Sequence, residues 1–158
     1  MKIASTVIGV FSLLLMAMVS AHAAESPARP GYKTYTTSYN FDQLVARVQD
    51  AVKKNRMGLV AQASASRGAA SLGVKIPGNF VIMVFRPDFA VRMLKASVPA
   101  GIEAPLRYYL TENGNGSTTL GYYEPSAVFA TYGSAELDVM AGELDKIFAQ
   151  IAADAVAK

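Results

Sequence analysis

The chain has 158 residues, with 15 Lys and Arg against 12 Asp and Glu, a formal net charge of +3, one His, and neither Cys nor Trp. That His, His22, lies in an N-terminal segment that is expected to be removed, so the mature chain has neither thiol nor imidazole. This composition excludes disulfides, thiolate or histidine-based catalysis, and zinc, haem or iron–sulfur sites that depend on His or Cys.

The N-terminus has the three parts of a secretory signal peptide, predicted over residues 1–23. Lys2 gives a positive start, an apolar run extends from Val7 to Val19, and Ala21-His22-Ala23 is a small-x-small cleavage site. The run is shorter than the roughly 20 apolar residues of a membrane-spanning helix, and no Cys follows it to carry a lipid. We therefore predict a periplasmic protein without a membrane anchor after cleavage, beginning with a short flexible leader over residues 24–31.

One domain is predicted over residues 32–158, and its first elements are a strand and a helix. The Tyr and Thr residues of Tyr32–Tyr39 favour a strand. Asn40 and Gln43 have the spacing of a capping box, and apolar residues then recur at helical spacing. Gly58 is expected to end this helix.

Shorter elements follow in the middle of the chain. Leu59–Ala65 is predicted to be a second strand, and Ser66 is expected to cap a short helix over Arg67–Leu72. The continuous apolar run Phe80–Phe85 predicts a strand buried on both faces. Phe89–Ser97 is predicted to be another short helix.

The last third contains a hairpin and a long helix. Leu106–Thr111 and Thr118–Tyr123 flank Asn113-Gly114-Asn115-Gly116, which is a strong hairpin signal. Apolar residues from Leu137 to Ala155 then follow helical spacing. The predicted class is a two-layer α+β fold, in which an antiparallel sheet packs against two main helices.

Several short stretches form one pattern along the chain. They are Arg67-Gly68-Ala69-Ala70-x-Leu72-Gly73, Val84-Phe85-Arg86-Pro87, Met93-Leu94 with Pro99, Glu103-Ala104-Pro105-Leu106-Arg107, and Tyr122-x-x-Pro125-Ser126. From about Thr36 to Ala153, they resemble the family known as domain of unknown function 302. The resemblance implies a fold related to that of the TATA-binding protein, in the order β-α-β4-α, often as a homodimer, and with no established activity.

The chain departs from the family pattern at one place. Many members carry an acidic residue and a histidine just before the Ala-rich segment, where this chain has Ala63-Ser64-Ala65-Ser66. If that pair performs chemistry or binds metal in relatives, this protein lacks it. The likeness to the TATA-binding protein concerns the fold and does not carry DNA binding with it. Because the net charge is small and the protein is expected to be exported, no nucleic-acid partner is predicted.

The most informative candidate residues lie on the predicted hairpin. If its loop centres on Gly114-Asn115, Arg107 lies opposite Tyr122 and shares a face with Tyr109, whereas Tyr108 points to the other face. An Arg and a Tyr on one face favour binding of a carboxylate or another anion, since guanidinium offers a bidentate fork. The alternative is a structural cross-strand pair that stiffens the hairpin.

Three further residues are candidates for the same surface. Glu103 lies close enough in sequence to line a groove with the hairpin residues, and Arg86 and Arg92 add positive charge. The alternative for both arginines is an ordinary solvated position.

The leading functional hypothesis is a non-catalytic, homodimeric binding or interaction module for a small anionic or amphipathic ligand or a periplasmic protein. No catalytic residue, cofactor or metal site is predicted. One alternative is a hydrolase or proton-transfer enzyme, which requires Glu103 or Glu124 to be buried within hydrogen-bond reach of Tyr122 or Arg107. Another is a structural or envelope-stress accessory protein without a ligand, which predicts a closed core and an exposed apolar patch.

Overall fold

Five antiparallel strands form one sheet in the computed structural model, which describes residues 29–158. The strands are β1 (Tyr32–Thr37), β2 (Gly58–Ala63), β3 (Asn79–Phe85), β4 (Leu106–Glu112) and β5 (Thr118–Tyr123). Their order in the sheet is β1-β5-β4-β3-β2, and every neighbouring pair is antiparallel. The predicted α+β class with an antiparallel sheet is confirmed.

The predicted signal peptide over residues 1–23 lies outside the described residues, as do residues 24–28 of the predicted leader. The remaining leader residues are held by hydrogen bonds. The carbonyl of Arg29 accepts from the amide of Tyr32 at 2.9 Å, and the carbonyl of Gly31 accepts from the amide of Glu124 at 2.7 Å. Gly31 is therefore hydrogen-bonded to the residue that follows β5.

The helices are α1 (Phe41–Lys54), α2 (Ala65–Ser71), α3 (Pro87–Ala96), α4 (Pro125–Phe129) and α5 (Ala135–Val156), with 3-10 turns at Pro99–Glu103 and Ala130–Tyr132. The two long helices, α1 and α5, pack against each other. Across residues 29–158, no helix is long and apolar enough to cross a membrane.

The two faces of the sheet have different roles. The inner face packs against α1 and α5 and supplies the strand residues of the hydrophobic core: Phe80, Ile82, Val84, Tyr108, Leu110, Leu120 and Tyr122. The outer face carries the alternate positions, and none of its side chains belongs to that core. The helices therefore cover one side of the sheet.

Helix α1 begins as predicted but ends at a different residue. Asn40 Oδ1 accepts from the amide of Gln43 at 2.9 Å, and Gln43 Oε1 accepts from the amide of Asn40 at 3.1 Å, which confirms the capping box. At the other end, Asn55 Nδ2 donates to the carbonyl of Ala51 at 2.9 Å. Arg56 then adopts a left-handed φ of 58°. The expectation that Gly58 ends the helix is wrong, because Asn55 caps it earlier.

The second short helix also begins earlier than predicted. Ser64, and not Ser66, caps α2, since its Oγ accepts from the amide of Arg67 at 3.2 Å. Contacts with Asn79 set this boundary. Asn79 Oδ1 accepts from the amide of Ala65 at 2.9 Å, and Ser64 Oγ donates to the carbonyl of Asn79 at 2.8 Å. A contact 15 residues along the chain thus fixes the start of α2.

Strand β3 is buried on one face only. Its inner residues are buried, whereas Val81, Met83 and Phe85 on the outer face are half-buried. The prediction of burial on both faces is wrong because the core helices pack against the inner face alone. Apolar residues therefore occupy outer positions where a solvated sheet face usually carries polar side chains.

Arg47 of α1 closes the C-terminal end of α5, which has no basic residue in its own last turn. Its guanidinium donates from Nε to the carbonyl of Ala155 and from Nη2 to the carbonyl of Ala157, both at 2.5 Å. The guanidinium also lies 4.4 Å from the centre of the Tyr39 ring. Tyr39 Oη donates to the same Ala157 carbonyl at 2.7 Å. These contacts join the two long helices.

Candidate functional site

The β4–β5 hairpin has a register that differs by one residue from the predicted one. Tyr108 pairs with Tyr122, and Glu112 pairs with Thr118, so the loop comprises residues 113–117. The amide of Asn113 donates to the carbonyl of Ser117 at 2.8 Å and closes this loop. A shift of one residue moves a side chain to the other face of a strand. The prediction that Arg107 lies opposite Tyr122 is therefore wrong.

Tyr122 is a core residue. It is 3 % exposed, and Tyr108 beside it is fully buried. The ring of Tyr108 stacks on Phe148 with centres 4.9 Å apart, and its hydroxyl donates to the carbonyl of Phe148 at 3.0 Å. Burial raises the pKa of both phenols, and the neighbouring Tyr35 hydroxyl raises the pKa of Tyr122 further. Tyr122 thus stabilises the sheet–helix packing, and it does not share a surface with Arg107.

Arg107 and Tyr109 lie together on the outer face, where Tyr123 joins them. Tyr109 and Tyr123 are each 43 % exposed, and Arg107 is exposed as well. The rings of Tyr123 and Tyr32 lie 4.9 Å apart. A Cβ at Gly121 would lie 2.0 Å from Tyr32 Oη, so glycine at this position lets the Tyr32 side chain cross β5. Apart from its threonines, the outer face of β1, β4 and β5 is therefore largely aromatic, with one arginine.

A small cleft lies beside these residues at the end of the sheet where β4 begins and β5 ends. It is lined by Glu103, Leu106, Arg107, Tyr123 and Val128 and has a volume of about 50 Å³. The structure therefore brings Glu103 and Arg107 together, as predicted, but Tyr123 takes the place expected for Tyr122. Tyr123 and Val128 were not predicted as site residues. A hairpin loop of five residues would have placed Tyr123, and not Tyr122, on the same face as Arg107.

The charged residues of the cleft are held differently. Glu103 Oε1 accepts a hydrogen bond from Tyr132 Oη at 2.9 Å. This hydrogen bond raises the pKa of the Tyr132 phenol. Arg107 makes no salt bridge with any residue between 29 and 158. The cleft thus presents a carboxylate held by a hydrogen bond and a guanidinium without a salt bridge to any described residue.

Arg86 and Arg92 do not line the cleft. Both guanidinium groups lie over the ring of Phe89, at 4.2 and 5.3 Å from its centre. Arg86 binds Asp88 at 2.8 Å, and Arg92 binds Glu143 at 2.6 Å. These contacts lower the pKa of both carboxyl groups. The positive charge that Arg86 and Arg92 were expected to add near the cleft is thus largely neutralised by Asp88 and Glu143.

The two carboxylates named in the enzyme hypothesis have other partners among the described residues. Glu124 forms a salt bridge with Lys33 at 3.2 Å, and Glu103 accepts a hydrogen bond from Tyr132. The apolar cavity between α3 and the core has a volume of about 30 Å³. Within residues 29–158, no group of acidic side chains is arranged to hold a metal ion.

The fold is thus a two-layer α+β domain. Helices cover one face of its five-stranded antiparallel sheet, and the opposite face carries aromatic side chains. The chain belongs to the family described as Domain of unknown function DUF302, whose family model matches residues 33–155. This finding confirms the resemblance seen in the sequence.

Structural comparison identifies a protein with a similar fold. The fold is similar to the crystal structure of an uncharacterized conserved DUF302 protein from Bacillus stearothermophilus, with a TM-score of 0.72 and 19 % sequence identity. The match covers 80 % of this chain and 99 % of that one. At this identity the likeness concerns the fold alone. No curated protein matches the chain.

Proposed function

We propose that this domain is a non-catalytic binding module that acts as a homodimer in the periplasm, with the outer face of the sheet as the interface. The observation that carries the proposal is the half-buried apolar row Val81, Met83 and Phe85 on β3. Tyr109 on β4 and Tyr123 on β5 extend this apolar and aromatic surface across the sheet. A partly exposed apolar row that continues into exposed aromatic side chains is typical of interaction sites in soluble proteins.

The distribution of residue types on this face favours a protein partner. Threonines at outer positions of β1, β4 and β5 lie on one side of the apolar row and give it a polar border, as at the rim of protein interfaces. Tyr, Met and Arg are residue types enriched at such interfaces. A flat sheet face also suits a second flat surface better than it suits a small molecule, which requires a concave site.

The charge of the face favours a second copy as that partner. Among the outer positions of the five described strands, Arg107 is the one ionised side chain. Two copies can therefore meet through their apolar centres without strong like-charge repulsion. Sheets that pack face to face lie about 10 Å apart, and their side chains interdigitate. A partner protein of different sequence is the competing outcome.

Analytical ultracentrifugation of the purified protein and two variants tests this interface. Met83→Lys places a charge in the centre of the outer face, where its stem can lie along the sheet while the ammonium reaches water. Ala46→Lys adds the same charge on the exposed side of α1 and serves as the control. We expect a dimer for the native protein and the control and a monomer for Met83→Lys. A native monomer at tens of micromolar, or a dimer that survives Met83→Lys, would overturn the proposal.

The accessory-protein alternative is supported by a different observation. Val91, Leu94, Val98 and Ile102 form an exposed apolar stripe along α3 and the following 3-10 turn, with exposed fractions of 46–82 %. The replacement Leu94→Lys distinguishes the two candidates. If the stripe is the main contact surface, this variant loses self-association or partner capture while Met83→Lys keeps it.

A further inference from the structure

We propose that the cleft lined by Glu103, Arg107 and Tyr123 binds a zwitterionic α-amino acid, or another small ligand that carries both an ammonium and a carboxylate. The inference extends the proposed binding role from a protein surface to a small molecule. The cleft is formed within a single chain, and two of its walls, Arg107 and Tyr123, also lie on the proposed dimer face, so ligand binding is judged on monomeric protein.

The two charged walls of the cleft determine the class of ligand. Arg107 offers the five N–H donors of a guanidinium and makes no salt bridge among the described residues. Glu103 offers a carboxylate that likewise makes no salt bridge there, and the hydrogen bond from Tyr132 Oη holds it in place. A simple anion would face the Glu103 carboxylate, and a simple cation would face the Arg107 guanidinium. A ligand with both charges satisfies both walls.

The size and the remaining walls restrict the ligand further. A volume of about 50 Å³ accommodates a group of a few heavy atoms, such as the charged head of an amino acid. Leu106 and Val128 supply aliphatic surface for a small side chain. Tyr123 supplies an aromatic wall, which is supported by Tyr32 at a ring distance of 4.9 Å. The cleft therefore suits alanine better than large polar amino acids.

Nuclear magnetic resonance titration of the purified protein with three matched compounds tests the ligand class. L-Alanine carries both charges, N-acetyl-L-alanine carries the carboxylate alone, and L-alanine amide carries the ammonium alone. We expect L-alanine to shift the amide signals of Tyr123 and Val128. We also expect each blocked compound to bind at least ten-fold more weakly. Equal binding of N-acetyl-L-alanine, or no shift at the cleft of monomeric protein at millimolar L-alanine, would overturn the proposal.

Two variants and a control test the residues. Arg107→Gln and Glu103→Gln remove one charge each and are expected to weaken L-alanine binding at least ten-fold. Glu103→Gln should also abolish the preference for L-alanine over N-acetyl-L-alanine. Arg56→Gln, at an exposed position after α1, is the control and should bind normally. Unchanged affinity in either cleft variant contradicts the assignment.

Sedimentation of the same samples separates this proposal from the dimer. If Met83→Lys is monomeric and still binds L-alanine, both proposals stand. If the native protein is a monomer that binds L-alanine, the interface proposal fails and the ligand proposal stands. If the monomeric Met83→Lys variant, in which no partner can cover the cleft, shows no shift with any compound, the ligand proposal fails alone.

Discussion

Arg47 is expected to be one of the most important polar side chains for the stability of this fold. The last carbonyl groups of a helix have no partner within the helix, and they carry its negative dipole end. In α5 these carbonyls are bonded by the Arg47 guanidinium of α1, at 2.5 Å from both Ala155 and Ala157. Replacing Arg47 by Met keeps most of the stem against Tyr39 but removes every donor.

The size of the effect follows from these contacts. A hydrogen bond with a charged partner contributes about 1.5–3 kcal/mol when it is buried. The Arg47 side chain is only partly buried, so the contribution of each bond is reduced by solvent. We expect Arg47→Met to lower the free energy of unfolding by about 2 kcal/mol. With a urea dependence of about 2 kcal/mol per molar, the unfolding midpoint falls by about 1 M.

Urea unfolding followed by circular dichroism measures this change. Arg47→Lys keeps the charge but loses the fork, so it should lie between the native protein and Arg47→Met. Arg56→Met removes an exposed arginine and should stay within about 0.5 kcal/mol of the native protein. If Arg47→Met is as stable as Arg56→Met, the helix-capping role assigned to Arg47 is wrong.

Three further predictions concern single groups. Asn40→Ala should reduce the free energy of unfolding by about 1 kcal/mol, and Asn40→Gly by a few tenths of a kcal/mol, because glycine is tolerated at this cap position. Equal losses for the two variants in thermal unfolding would contradict the capping box as the cause. Thr118→Val should leave stability unchanged or raise it by up to about 1 kcal/mol, since the buried Thr118 Oγ1 has no hydrogen-bond partner among the described residues; a loss above 1 kcal/mol in urea would show a partner. The pKa values of Tyr108 and Tyr122 are raised above 10.0 in the folded protein, so the unfolded chain releases these protons at a lower pH than the folded chain does. Stability should therefore fall as the pH rises above about 10. Absorbance at the phenolate band should show both residues ionising at higher pH than the exposed tyrosines.

The sequence predicted those parts of the fold that depend on neighbouring residues. The capping box at Asn40, the strand over Phe80–Phe85 and the hairpin all depend on short spacings, and all three form. The start of α2 could not be predicted in this way, because Asn79 fixes it from a distant strand. The end of α1 was also predicted wrongly, because the side-chain amide of Asn55 caps the helix before Gly58, the glycine that was expected to end it.

The candidate site shows how a small error in a loop changes a functional interpretation. The sequence Asn113-Gly114-Asn115-Gly116 suggests a short turn, but Gly116 has a φ of 80° and the loop extends to Ser117. That one additional residue moves Tyr122 into the core and Tyr123 onto the surface beside Arg107. The residue types of the site, an arginine and a tyrosine, were predicted correctly, but Tyr122 was assigned to the wrong face of the sheet. The face that a side chain occupies depends on the register of the strands, and packing against distant elements decides that register.

The pairing of the first strand with the last has a consequence for how the chain reaches its native state. Thr36 and Thr119 are hydrogen-bonded side by side although 83 residues separate them. β1 therefore has no partner until almost the whole chain is available, and closing so large a loop is slow compared with forming local helices. A chain from which β5 has not yet emerged cannot complete this sheet. The order of the strands thus delays completion of the sheet, so β1, the first strand to be made, is among the last to pair.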